Sequence, residues 1–349
     1  MSRLSRREFA KIAAAGSASI AAMGAFARTA GAAGLAPALQ GAASASALAA
    51  WGKQVGLELF TVRDQIQKDQ AGTLAKIAAI GYKEVEPVGF GGLDPKAYRA
   101  LLDQNGLTAP STHTTVSPGP DLEKTLEGYQ IIGIKYITAG GPRPAGATAR
   151  RGPGPAARGA AGARGRGGRG GFQRPPETPD SVKRTVANYN QVGKVAQKYG
   201  MQVLVHNHAM EFEKFPGSEQ YPYQIILAES DPELVVMQMD IGWASVAGQD
   251  PVAMFHKNPG RFVLWHVKDF MNLQYLFPQP EMTESQRMQV AGNWMVPFGL
   301  GGIDYKTIFE NASVAGMKHF CVEQDTAANW GNSVAAAGVS YKNLEKMLS

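Results

Sequence analysis

The chain has 349 residues with 35 Lys and Arg against 29 Asp and Glu, a formal net charge of +6. A basic balance of that size invites a nucleic-acid partner, but the excess is confined to two places. Eight arginines (143, 150, 151, 158, 164, 166, 169, 174) lie between Pro142 and Glu177 with no acid among them, and residues 1–28 carry a net four. Taking those eight and four from the formal +6 leaves the remainder at −6. An acidic body of near 300 residues argues against nucleic acid, and it is long enough to bury a substantial core. The single cysteine, Cys321, excludes an internal disulfide.

Ser5-Arg6-Arg7-Glu8-Phe9-Ala10-Lys11 is a twin-arginine export motif, and an Ala-rich apolar region follows from Ile12 to Ala27. Small-residue cleavage sites such as Ala25-Phe26-Ala27 or Ala30-Gly31-Ala32 come next. The apolar stretch is too short and too rich in Gly and Ala to span a membrane stably. We expect residues 1–50 to be signal peptide and linker, the twin-arginine machinery to be a partner, and the location to be periplasmic. Residues 51–349 are expected to form the folded domain.

From residue 55 strand-like and helix-like segments alternate. Strands are expected at 55–60, 84–88, 107–114 and 134–139, with helices at 72–80, 94–105 and 121–132 between them. Residues 140–179 are almost wholly Gly, Arg, Ala and Pro. They cannot bury enough apolar surface to offset their ordering entropy, so a disordered insert is expected there. The alternation resumes with a helix at 181–199, strand 201–207, helix 221–229, strand 234–240, helix 251–257 and strand 261–267. An irregular, aromatic stretch at 269–302 suits a lid. A helix from Asp304, a strand at 319–323 and a helix at 340–348 complete the pattern. Eight strands alternating with eight helices predict a (β/α)8 TIM barrel. The runner-up, a doubly wound open sheet, lacks a Gly-rich dinucleotide fingerprint after its first strand.

Polar residues collect where these strands end. VLVHNHAMEF delivers His206, His208 and Glu211; VVMQMDIGWA delivers Asp240; RFVLWHVKDF delivers His266, Lys268 and Asp269; KHFCVEQD delivers Glu323 and Asp325. In a parallel barrel these ends meet at one rim. Taken alone, a strand-end Asp is an ordinary helix cap and an inward His an ordinary core hydrogen bonder. Together, Glu211, Asp240, His266 and Glu323 offer three carboxylates and one imidazole. That donor set suits one divalent ion, Mn²⁺ foremost, with Mg²⁺, Co²⁺, Fe²⁺ or Zn²⁺ as alternatives. Glu211 lies in a loop, so His206 or His208 could replace it.

From Val55 to Leu348 the chain resembles the sugar phosphate isomerase/epimerase family, xylose isomerase-like barrels that include inosose dehydratase and ketose 3-epimerases. The matching runs are HNHAMEF, DIGWA with Gly248-Gln249-Asp250-Pro251, HVKD, Pro297-Phe298-Gly299-Leu300-Gly301-Gly302-Ile303-Asp304, and Val322-Glu323-Gln324-Asp325. The resemblance implies a divalent ion on residues matching Glu211, Asp240, His266 and Glu323, and a polyol or keto-sugar substrate. The insert and the export signal depart from the family pattern and argue against a phosphorylated one. Such a site suits proton abstraction next to a carbonyl through an enediolate. Glu211 and Glu323 are the expected bases, and His208 and Lys268 the expected substrate-oxygen donors. Lys268 could equally be spent on a salt bridge to Asp269. Glu86, His113, His206 and Trp243 are expected substrate contacts, with Trp294 and Phe60 as further stacking faces. The activity expected is isomerisation or epimerisation. A lyase or hydratase acting on 3-keto-glycosides or inositol derivatives, a nuclease, and a non-catalytic sugar-binding protein are the alternatives.

Overall fold

The structure, a computed structural model, describes residues 51, 54–140, 177–276 and 282–349. The leader and almost all of the Arg-rich insert lie outside these residues. Eight strands form one sheet: β1 (Gly56–Glu58), β2 (Glu84–Glu86), β3 (Ser111–Val116), β4 (Tyr136–Ala139), β5 (Gln202–His206), β6 (Val235–Asp240), β7 (Leu264–Val267) and β10 (His319–Val322). Every pairing in it is parallel, in the order β2-β1-β10-β7-β6-β5-β4-β3. Thr108, just before β3, bridges Glu84 and takes the N–H of Val85 at 2.8 Å, which brings the two ends together. The sheet is a near-closed TIM barrel, as the alternation predicts.

The local causes are legible in the chain. Helices Pro95–Gln104, Pro179–Ala196, Pro222–Glu229 and Pro251–Lys257 each begin with proline, whose missing N–H costs nothing in a first turn. Asp94, Thr178 and Asp250 cap three of them through side-chain oxygens. The outward faces of the strands and the inward faces of the helices bury one large apolar cluster. A second, small cluster (Tyr136, Leu204, Val236, Val263, Leu264) is separate from it.

Boundaries differ from expectation where a side chain ends an element early. The first strand stops at Glu58, not residue 60, because its carboxylate accepts the N–H of Phe60 at 2.6 Å and turns Leu59–Val62 into a 3-10 helix. The final helix starts at Ser333 rather than 340, capped by Asn332. In the 269–302 stretch, β8 (Asp269–Phe270) pairs antiparallel with β9 (Met295–Val296), and a helix at Glu284–Ala291 lies between them. No helix among the described residues is long and apolar enough to cross a membrane.

Candidate metal centre

Register brings the strand ends together. Asp240 on β6 is level with His266 on β7, and His266 is level with Cys321 on β10, two residues before Glu323. Asp240 serves two ends at once: Oδ1 accepts the N–H of Trp243 at 2.8 Å, capping the helix Ile241–Val246, while Oδ2 remains. Asn207 fixes the neighbouring strand end, its side chain bonding the N–H of Asp240 at 3.0 Å and its C=O at 3.2 Å. The DIGWA glycine has a steric reason. A Cβ at Gly242 would sit 2.5 Å from the Lys268 carbonyl oxygen.

Four imidazoles crowd this end of the barrel. His206 lies 4.7 Å from His113, 4.8 Å from His208 and 4.8 Å from His266, centroid to centroid. His266 Nδ1 is 2.7 Å from Glu323 Oε2, and its Nε2 is 3.4 Å from Glu86 Oε1. Lys268 Nζ is 3.0 Å from Asp240 Oδ2, 3.0 Å from Glu323 Oε2 and 3.1 Å from Asp325 Oδ1. Its partners are therefore these three and not Asp269. The Asp269 carboxylate instead takes the N–H groups of Phe270, Gly299 and Gly301 at 2.9–3.0 Å, pinning the PFGLGG loop.

Several buried polar atoms here are held by ion pairs and not by aligned hydrogen bonds: Asp240 Oδ2 and Glu323 Oε2 by Lys268, His266 Nδ1 by Glu323, and Glu86 Oε1 by His266 Nε2 and by His113 Nδ1 at 3.0 Å. Carboxylates and imidazoles packed this closely and charged at the buried end of a barrel form a donor set that a cation can hold together. Two carboxylate oxygens and an imidazole nitrogen fit a divalent ion. Two sets of three donors lie within 4.8 Å of one another: His206, Asp240 and His266, and Glu86, His113 and His266. Neither includes Glu211 or Glu323. The last residue of β5 is His206; Glu211 lies five residues on, in the turn Met210–Phe212, where its Oε2 accepts the His208 N–H at 2.6 Å.

Other expected contacts move as well. Glu86 is wholly buried, and its Oε2 accepts from Ser111 Oγ at 2.7 Å and Gln238 Nε2 at 2.8 Å. Gln238 Oε1 meets His206 Nδ1 at 3.1 Å, so Glu86 braces the imidazoles through Oε2, while its Oε1 lies 3.0 Å from His113 Nδ1. Trp243 is not an open stacking face: its ring packs on Phe270 at 5.0 Å and lies 5.0 Å from Lys268 Nζ. Phe60 is covered by the Arg63 guanidinium at 3.9 Å, and Trp294 is partly buried against the core. His113, His206 and His208 keep some exposure. Missed from the sequence were Glu58, buried and 3.7 Å from His113 Nδ1, and Gln238. Glu58 ends β1 in the way Asp240 ends β6, and Gln238 is two residues before Asp240 on the same strand face.

Charge follows burial and pairing. Burial opposes ionisation of Glu323, yet Lys268 and His266 outweigh it and hold the carboxyl well below its usual range. Burial with the neighbouring Glu323 charge pushes Asp325 up to about 8, against the pull of Lys268. Burial would lower His266, but Glu86 and Glu323 raise it well above normal. His208 is pushed down to about 3 by burial and then by Lys268.

A sequence model of the xylose isomerase-like TIM barrel matches residues 74–339. The chain belongs to this family. Among curated relatives, the inosose dehydratase of Clostridium tetani (strain Massachusetts / E88) is 28% identical over 140 residues, which is 39% of this chain and 44% of that protein. The chain thus spans about half the length of the curated relatives it matches. Among solved structures, a sugar phosphate isomerase/epimerase from Parabacteroides distasonis ATCC 8503 superimposes with a TM-score of 0.58 at 19% identity, covering 84% of this chain and 94% of that one. The IOLI protein with a binding zinc atom gives 0.56 at 12% identity, covering 85% and 98%. At those identities the structural likeness speaks for the fold.

Proposed function

We propose that this chain isomerises or epimerises a sugar or sugar derivative by moving a proton next to a carbonyl, with one divalent ion held by Asp240, His266 and Glu323. His206, at the end of β5, is the proposed fourth donor in place of Glu211. The observation that carries the reading is the convergence of Asp240 Oδ2, His266 Nδ1 and Glu323 Oε2, all buried and tied together through the 2.7 Å His266–Glu323 contact and the shared Lys268 ammonium. When bound, a divalent ion supplies Lewis-acid polarisation of a substrate carbonyl and charge stabilisation of an enediolate. Mn²⁺ is the ion we favour.

The chain's own groups supply the rest. Glu323, kept ionised by Lys268 and His266, is the proposed base. Asp325, at about 8, holds a proton at neutral pH and stands 3.1 Å from Lys268 Nζ, so it is the proposed group for returning one. His208, neutral, and His113 present imidazoles to substrate oxygens. Lys268 sets the local charge. A polyol or keto-sugar is the proposed substrate. The matches to inosose dehydratases favour a second reading, in which the same enediolate expels a β-substituent and the enzyme is a lyase. Export through the twin-arginine machinery to the periplasm completes the proposal, on the Arg6-Arg7 motif.

Solvent deuterium incorporation into a panel of keto-sugars, 3-keto-glycosides and inositol derivatives tests this. Incorporation is expected with the ion-loaded protein, lost on chelation and restored by Mn²⁺. Glu323→Gln should slow it on the order of 10²-fold or more, with the far-UV spectrum unchanged. Undiminished incorporation after verified removal of the ion would reject the proposal. Sugar binding without exchange, unaltered by Glu323→Gln, would mark a binding protein instead.

A further inference from the structure

A buried ammonium sits where the candidate metal centre offers its oxygens. Lys268 Nζ is 3.0 Å from both Asp240 Oδ2 and Glu323 Oε2, two of the three atoms proposed to hold the ion. Neither contact is an aligned hydrogen bond; the hydrogen bond of this ammonium goes to Asp325 Oδ1 at 3.1 Å. The side chain is 1% exposed, and the Trp243 ring lies 5.0 Å from the ammonium. The backbone is clamped as well: the Tyr305 hydroxyl accepts the Lys268 N–H at 2.9 Å and donates to its C=O at 2.7 Å.

We propose that the Lys268 ammonium is a built-in stand-in for the divalent ion, competing with it for Asp240 and Glu323. This rests on reading Asp240, His266 and Glu323 as the ion site. Without an ion, the buried carboxylates of Asp240 and Glu323 would repel one another, and an internal cation keeps them charged and in place. A divalent ion bonds such oxygens at roughly 2.0–2.6 Å, so an ammonium still 3.0 Å from them would lie within about 5 Å of it. Two cations that close in a buried site repel strongly. Binding therefore requires Nζ to leave Asp240 and Glu323. Its hydrogen bond to Asp325, on the partly exposed side, gives it a pivot. Lys268 becomes available to a substrate oxygen only once the ion is in, which orders ion before substrate.

The opposite role predicts the opposite sign. A lysine that merely buttresses the ligands should, when removed, weaken ion binding about 10–100-fold. A competitor, when removed, should strengthen it. The test is Zn²⁺ affinity by calorimetry and chelator competition, for wild type and Lys268→Met. We expect at least a tenfold gain for the variant. Because deleting one member of a buried charge cluster can unfold a protein, Lys268→Met combined with Asp325→Asn is measured alongside; it also replaces the acceptor that Lys268 would leave behind and should show a gain of the same sign. In the wild type, Zn²⁺ should change the Trp243 fluorescence, a change assigned by its loss in Trp243→Phe and absent from Lys268→Met. Unchanged or weaker Zn²⁺ binding in both Lys268 variants overturns the competition while leaving the ion site standing. Absence of Zn²⁺ binding by all three proteins overturns both.

Discussion

His206 and His208 carry a cost of crowding partly exposed imidazoles together at one end of the barrel. Both are lowered by burial and by neighbouring positive or titratable groups, His208 to about 3. A histidine whose folded pKa is depressed contributes stability above its unfolded value of 6.5, and that stability drains as pH falls toward the folded value. His266 acts oppositely, but below pH 6.5 it is protonated in both states, so its contribution is constant there. Raised carboxyls such as Asp269, pushed by burial to about 6, also change in this window. The His208 contribution is therefore isolated by difference. The stability of wild type minus that of His208→Gln, from denaturant unfolding of the ion-free proteins, should fall by about 2 kcal/mol between pH 7 and pH 5. A difference that holds constant across that range would show His208 to be solvated and freely protonated.

At the scale of elements, strand ends place the chemistry and loops hold the strand ends. Gly242 is the tightest such contact in the DIGWA run. Gly242→Ala should cost roughly 1–3 kcal/mol of stability and also weaken ion binding, because a Cβ 2.5 Å from the Lys268 carbonyl must push β7 away from the Asp240 helix. Full stability with wild-type ion affinity would mean that the loop yields freely. The existence and order of these elements were legible in the sequence, since apolar runs of four to six residues closed by Asp, Glu or His have only one meaning when they alternate with capped helices. The exact ends were not. Glu58 terminates β1 through its own side chain, and nothing in the local pattern separates that carboxylate from one pointing into solvent. Glu211 drew attention as the acidic residue nearest two histidines, but sequence distance from His206 could not reveal that the turn spends its Oε2 on the His208 N–H. Lys268 was legible as a functional residue and not in its pairing, because Asp325 is 57 residues away along the chain. The burial of Glu86 was not legible, because strand periodicity tells which way a side chain points and not how deeply its neighbours bury it.

For the whole molecule, the barrel converts distance along the chain into proximity. Asp240, His266 and Glu323 come from β6, β7 and the end of β10, and Glu86 from β2 adds a further anionic group to the same end, while burial and then Glu323 raise the Glu58 carboxyl on β1 well above its usual range. The fold must hold this concentration of like charge, and within the chain Lys268 and the protonated imidazole of His266 are what offset it. A divalent ion would complete the neutralisation, so in the proposed function catalysis, stability and the lysine's position all depend on a single bound cation. Anomalous diffraction from crystals equilibrated with Mn²⁺ tests that directly. The expected result is a peak in contact with Asp240, His266 and Glu323, with Lys268 Nζ displaced from Asp240 and Glu323. The absence of any peak there at saturating Mn²⁺ would contradict it.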